Sequence, residues 1–356
     1  MKKIKICAKV NNSYFVVVSN SIKTSLYSNI TMSNYSRIGV ITDENVKQHW
    51  KSLINREIKP NFTITLEPGE KHKNIKTLQF LWSALVKERC DKSTLLLIMG
   101  GGVIGDMAAL AASTYLRGID FIHIPTTIIS QVDSSMGGKT AINFSGGKNI
   151  IGLFSQPKLV IINSQFLSTL PERDFISGFA EIIKHGLIAD KDYYHFCTLK
   201  HPLEFTKKEI AEIITGSCRI KTEILNKDLL QKNERKLVLF GHTIGQALES
   251  VSLESSTPLL HGEAIAIGMV AETFLSVKKY NLPHKNLTEL EKKLVNCGLP
   301  TRTKLSGKQV EKKLILDKKI INGKIPWTLL KKIGNGVFNV FLQKKQIQNA
   351  IQYICS

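Results

Sequence analysis

The run Leu95-Leu96-Leu97-Ile98-Met99 stops at Gly100-Gly101-Gly102 and continues as Val103-Ile104-Gly105-Asp106. An unbroken apolar run that ends at glycine reads as a strand buried on both faces, and the residues beyond read as the opening of a helix. A strand that turns through glycine into a helix is the unit of a parallel βαβ sheet, which places this part of the chain in the α/β class. The turn also suits a phosphate. Glycine lets backbone approach a ligand, and the amides that open a helix offer donors and a partial positive charge. A dinucleotide is the first candidate. The spacing is not Gly-x-Gly-x-x-Gly, so a tight strand-to-helix junction without a ligand is the other reading of the same residues.

With 356 residues, 43% of them hydrophobic, the chain can bury a large core and form two domains. Apolar runs at 38–42, 62–66, 94–99, 121–125 and 159–163 alternate with helical patterns, so residues 1–170 read as a doubly wound, Rossmann-like α/β domain. Residues 171–356 read as an all-α domain, with helical patterns at 175–188, 208–225, 245–253 and 262–280. A cleft between two such halves is the expected place for a ligand.

The formal charge is +20, from 49 basic and 29 acidic residues. Lysines run from Lys2 to Lys345 without a basic tract interleaved with aromatics, so no nucleic-acid partner is expected, and an anionic small substrate stays compatible. No leader pattern and no apolar run of membrane-spanning length stands out, which predicts a cytoplasmic protein without a membrane partner. Cys7, Cys90, Cys197, Cys218, Cys297 and Cys355 form no Cys-x-x-Cys pair and read as free thiols.

Glu181, His242 and His261 each lie among glycine and apolar residues in the helical half. One carboxylate and two imidazoles are a catalytic-type set for zinc, with a position left for substrate or water. Two other readings stand beside it: the histidines are caps or core residues, or Glu181 pairs with His185 one turn on. The stretch from Asp133 to Asn149 carries Lys139, Lys148 and Asn149 on glycine-rich loops, which suits phosphate or carboxylate recognition or, alternatively, a solvated loop.

Taken in order, Gly69-Glu70-x-x-Lys73, Gly100 to Asp106, Tyr115-Leu116-Arg117-Gly118, Pro125-Thr126-Thr127, Asp133 to Lys139, Gly147-Lys148-Asn149, Ala180-Glu181-x-x-Lys184, Gly241-His242-Thr243, His261-Gly262-Glu263 and Asp317-Lys318-Lys319 resemble the 3-dehydroquinate synthase family of sugar phosphate cyclases. The resemblance spans nearly the whole chain. It implies a Rossmann-like NAD domain followed by an α-helical metal domain, an active site between them, and a homodimer. Glu70, Lys73, Gly101, Gly102, Val103, Ile104, Gly105, Asp106, Thr126, Thr127, Lys139, Lys148, Phe166, Leu167, Ser168 and Thr169 would line the NAD site. Glu181, His242 and His261 would bind Zn2+ or Co2+. Asp133, Asn149, Lys184, Lys221, Arg235 and one of Lys318 or Lys319 would hold substrate, and Arg117 would reach into a neighbouring subunit.

The implied reaction converts 3-deoxy-D-arabino-heptulosonate 7-phosphate to 3-dehydroquinate with loss of phosphate, a step toward aromatic amino acids through the shikimate pathway. In the resemblance a hydroxyl is oxidised transiently, phosphate is eliminated, the hydride returns, and ring opening and aldol closure follow. NAD is regenerated, the metal acts as a Lewis acid, and Lys184 adds positive potential at the same oxygen.

Two departures matter. The family pattern Asn-Phe-Gly-His is here Leu239-Phe240-Gly241-His242, and the histidine usual one turn later is Gln246. Gln246 can donate a hydrogen bond but carries no charge. Lys221 and Arg235 match the positions that hold a substrate carboxylate, which favours the heptulosonate phosphate. A relative such as 2-deoxy-scyllo-inosose synthase, or an impaired homologue that only binds ligand, is the alternative.

Overall fold

The computed structural model describes residues 13–145, 147–231, 233–253, 255–314 and 324–355. Contacts divide the chain into two compact units, one made of 1–125 with 137–163 and the other of 126–136 with 164–356.

The first unit is built around a six-stranded sheet. Its strands are β1 (Phe15–Val18), β2 (Arg37–Asp43), β3 (Phe62–Leu66), β4 (Thr94–Gly100), β5 (Asp120–Pro125) and β8 (Leu159–Ile162), in the order β1-β8-β5-β4-β2-β3 and parallel throughout. The antiparallel hairpin of β6 (Lys139–Phe144) and β7 (Gly147–Phe154) lies between β5 and β8 in sequence. The helices are α1 (Ile22–Asn29), α2 (Glu44–Glu57), α3 (Ile75–Lys87) and α4 (Gly102–Thr114).

Every residue of β4 is buried, as its unbroken apolar run predicts for a central parallel strand. Side chains mark the helix starts: Ser21, Asp43 and Asn74 accept from the third-position amides of α1, α2 and α3. α4 differs, because Gly101 is its N-cap and no side chain caps it. From β2 the chain proceeds to β3 on one side, then crosses to β4 on the other side and on to β5. The turn after β4 therefore lies at the strand carboxyl ends where the order of succession reverses, the usual ligand position in a doubly wound sheet.

The second unit is helical, with α5 (Glu172–Ala189), α6 (Lys191–Cys197), α7 (Lys207–Lys227), α8 (His242–Ser252), α9 (His261–Tyr280), α10 (His284–Asn296), α11 (Gly307–Leu314) and α12 (Lys344–Ile354). A short hairpin, β9 (Trp327–Lys332) with β10 (Asn335–Val340), joins them. α5 is buried without a break from Ser177 to Ile188, and α9 is buried from Gly262 to Ser276 except at Glu263 and Phe274. No helix among the described residues is long and apolar enough to cross a membrane. The five described cysteines are free thiols, as expected, and Cys7 lies outside the described residues.

One expectation is corrected. Lys139 and Lys148 do not lie on open glycine-rich loops but on the paired strands β6 and β7. The hairpin forms because Thr140 and Ile142 of β6 are buried while neighbouring positions are not, an alternation that glycines around it obscure in the sequence.

Candidate active site

In the second unit, α5 supplies Glu181, fully buried near its middle, while α8 and α9 each open with a histidine, His242 and His261. Glu181 Oε1 stands 3.2 Å from His261 Nε2 and 3.6 Å from His242 Nε2. One ligand atom from each of the three residues lies within 4.8 Å of the others. Ligands about 2.1 Å from a tetrahedral ion are about 3.4 Å apart, so the donor set and its spacing fit a zinc-type cation. Asp133, Glu181 and His185 form a second group of the same compactness, so both sequence readings of Glu181 have a geometric counterpart.

The supports of these histidines come both from neighbouring residues and from the facing helix. The Gly241 amide donates to Glu272 Oε2 at 2.6 Å and the Thr243 amide to Oε1 at 3.2 Å, so a buried carboxylate of α9 caps α8. Gly241 itself has φ +78°, and a side chain there would press on Met269 and on the Ile265 carbonyl. His242 Nδ1 donates to the Phe240 carbonyl at 3.2 Å, which turns Nε2 toward Glu181. At α9, Glu263 Oε2 accepts the Leu260 amide at 2.8 Å and is held by Arg173. His261 Nδ1 meets Glu249 Oε2 at 3.2 Å. Neither Glu249 nor Glu272 carries a sequence signal of its own, each being a single acidic residue in a helix interior.

Charge is concentrated here. Lys184 is buried against Glu181 in an ion pair one turn apart. Burial alone would raise the Glu181 carboxyl, but Lys184 and His242 outweigh it and hold it below the usual carboxylate range. Lys221 of α7 grips Asp133 through both its carboxylate and its main-chain carbonyl. Burial would likewise raise Asp133, yet Lys221 and Lys184 keep it well below the ordinary value. Burial would lower His261, and its hydrogen bonds to Glu181 and Glu249 reverse that, pushing the pKa up to about 10. His185 is buried and depressed to about 3; its Nδ1 lies 2.6 Å from Ser217 Oγ. Arg235 is buried, with its guanidinium on the Leu229 carbonyl and its amide on Asp228 Oδ2 at 3.1 Å.

The first unit joins another set of expected residues. Lys73 is ion-paired with Asp106 and donates to Asn149 Oδ1 at 2.6 Å. Asn143 completes the network, donating to Glu70 Oε1 at 2.8 Å and accepting the Asn149 amide at 2.9 Å. Asn143 was not singled out in the sequence. Gly101, Gly102, Val103 and Gly105 surround the uncapped start of α4, while Ile104 packs into the core. Lys139 is exposed and Lys148 half-buried on the hairpin.

Thr126, Thr127 and the turn Ser164–Thr169 belong to the second unit. Thr127 shares hydrogen bonds with Ser130, and Phe166 and Leu167 are core residues, which leaves Ser168 and Thr169 as the polar side chains of the expected segment 166–169. Arg117 is exposed at the end of a short turn, with φ +60°. Lys318 and Lys319 lie outside the described residues.

Residues 63–177 match the family model for the 3-dehydroquinate synthase N-terminal domain, and 178–320 match that for the C-terminal domain. The chain belongs to the 3-dehydroquinate synthase family. A 3-dehydroquinate synthase of Prochlorococcus marinus (strain NATL2A) is 36% identical over 357 residues, covering 97% of this chain and 96% of the relative. Among solved structures, 2-epi-5-epi-valiolone synthase from Streptomyces hygroscopicus subsp. jinggangensis, with NAD+ and Zn2+ bound, superposes with a TM-score of 0.85 at 25% identity, covering 98% of this chain and 99% of that one. A 2-deoxy-scyllo-inosose synthase complexed with carbaglucose-6-phosphate, NAD+ and Co2+ gives 0.86 at 24% identity, covering 96% of each chain, and shows the shared fold.

Against the 3-dehydroquinate synthase pattern, the two departures are both half-buried. Leu239 ends the turn Glu234–Leu239, and Gln246 sits one turn into α8 beyond His242.

Proposed function

We propose that the protein is a carbon-oxygen lyase that cyclises 3-deoxy-D-arabino-heptulosonate 7-phosphate to 3-dehydroquinate and releases phosphate, with NAD and a divalent cation, zinc or cobalt. The observation that carries this reading is the convergence of Glu181, His242 and His261, with Lys184 buried against Glu181, in a chain of this family. Glu181, His242 and His261 would hold the cation, which supplies Lewis-acid polarisation when bound, and the uncapped start of α4 with Asp106 and Lys73 would hold NAD, which supplies reversible hydride exchange.

The chain's own groups then divide the work. Lys184 Nζ sets a fixed positive charge where a substrate hydroxyl would lose its proton, and the buried setting strengthens it relative to water. Lys221 fixes the Asp133 carboxylate so that it stays ionised and accepts a hydrogen bond from a sugar hydroxyl. Arg235, anchored on Leu229 and Asp228, offers the planar donor set suited to a carboxylate, and Asn149 is oriented by Lys73 and Asn143. Arg117, Lys318 and Lys319 complete the substrate contacts in this proposal, Arg117 across a homodimer. The homodimer, a cytoplasmic location and the lack of a nucleic-acid partner are parts of this proposal, the first resting on family membership and the last on lysines spread without a basic tract.

The test is a substrate panel on the purified protein before and after chelation, with zinc or cobalt restored. Phosphate and dehydroquinate should form from the heptulosonate phosphate only with the ion present. Turnover of glucose 6-phosphate instead would make the chain an inosose-type cyclase, and net NADH from a simple polyol would make it a dehydrogenase.

A further inference from the structure

We propose that Glu249 is a positioning residue that orients His261 for the cation, an inference that rests on the cation reading above. Glu249 lies on α8 seven residues after His242, so the two side chains share one face of the helix two turns apart. α8 thus presents a ligand at its first residue and a carboxylate further along, and that carboxylate reaches the first residue of α9. His261 is held at both ring nitrogens: Nδ1 is 3.2 Å from Glu249 Oε2, and Nε2 is 3.2 Å from Glu181 Oε1.

An imidazole that donates Nδ1–H to a carboxylate presents its lone pair at Nε2, with the ring plane fixed and the nitrogen made more basic. Glu249 is the group that selects this tautomer at His261. The two ligating histidines are not supported alike. His242 donates Nδ1–H to the neutral carbonyl of Phe240, which orients the ring without adding charge. His261 has a carboxylate in that place, and the Glu249 side chain is only 16% exposed, so water competes little for it. His261 is also the more exposed ring of the two, at 30% against 10% for His242, and so has less packing to hold it. The stronger partner stands behind the ligand that packing restrains least.

The experiment is a Co2+ titration of the metal-free full chain against a competing chelator, followed by visible absorption, for wild type, Glu249→Ala, Glu249→Gln and His242→Ala. Circular dichroism melts of the metal-free proteins check folding. Wild type should take up one cobalt per chain, Glu249→Ala should bind it about 10–100-fold more weakly with altered absorption bands, and Glu249→Gln should fall between. Wild-type affinity and spectrum in both Glu249 variants overturn the proposal; if Glu249→Ala does not fold, unchanged affinity in Glu249→Gln does so alone. Absence of cobalt uptake by wild type, or wild-type binding by His242→Ala, overturns the cation reading itself and this inference with it.

Discussion

Gly262 and Ser177 meet backbone to backbone: a Cβ on Gly262 would stand 1.7 Å from the Ser177 carbonyl oxygen, and the Gly262 amide donates to Ser177 Oγ at 3.0 Å. This contact docks the start of α9 onto α5 one turn before Glu181, and so sets how near His261 comes to that carboxylate. Gly262→Ala must push the two helices apart. The expected loss is about 1–3 kcal/mol of stability together with weaker cation binding, read by thermal unfolding and a cobalt titration. An unchanged melting temperature contradicts the packing argument.

Glu272 caps α8 from a different helix, so its removal should act on stability and on His242 together. Glu272→Leu leaves the Gly241 and Thr243 amides buried without their acceptor, at about 1–3 kcal/mol for each unsatisfied group. Glu272→Gln keeps one oxygen and should lose less. Urea unfolding of the two variants ranks them, and equal midpoints would contradict the cap.

His123 lies buried on β5 against Phe121, and burial depresses its pKa to about 4 from the usual imidazole value of about 6.5. Below the unfolded value the unfolded chain binds the proton and the folded one does not. The stability His123 contributes is therefore complete above about pH 6.5 and is lost as pH falls toward 4, on the order of 3 kcal/mol. His185 titrates in the same direction. Urea midpoints between neutral and acid pH should fall less steeply in His123→Leu than in wild type; parallel slopes would contradict the assignment.

What could be read in advance follows from where side chains go. β4 is buried on both faces, so its apolar run is visible, and α5, α7, α8 and α9 show in helical spacing because each buries a broad stripe. β7 is different. Its side chains are exposed along most of its length, among them Ile150, Leu153 and Phe154, so no period of two marks it as a strand. The hairpin of β9 and β10 has a turn signal in Gly334-Asn335-Gly336, but it is one short feature in a helical stretch.

The site divides in the same way. Glu181, His242 and His261 stand out by residue type and by their place in an ordered series of motifs. Glu249 and Glu272 do not, since an acidic residue within a helix usually faces water, and only the packing of α8 against α9 turns these two inward. Asn143 is hidden for a related reason: its bonds to Glu70 and Asn149 depend on β6 being a strand.

Lys184→Met tests the charge beside Glu181. The side chain keeps its length and loses its ammonium, so kcat for dehydroquinate formation should fall about 100-fold or more while the metal-free protein still folds. A kcat within a fewfold of wild type contradicts the role given to that charge.

Gln246→His restores the residue that the family pattern has one turn after His242. Turnover of the heptulosonate phosphate should rise if the glutamine weakens phosphate handling. Unchanged or slower turnover shows instead that this chain is adjusted to glutamine at 246.

The most direct measurement is the product balance of the cobalt- or zinc-restored protein given NAD and 3-deoxy-D-arabino-heptulosonate 7-phosphate. The account predicts one phosphate released for each dehydroquinate formed, no net NADH, and loss of both products in Glu181→Gln. Phosphate without dehydroquinate, accumulating NADH, or full activity in Glu181→Gln would contradict it.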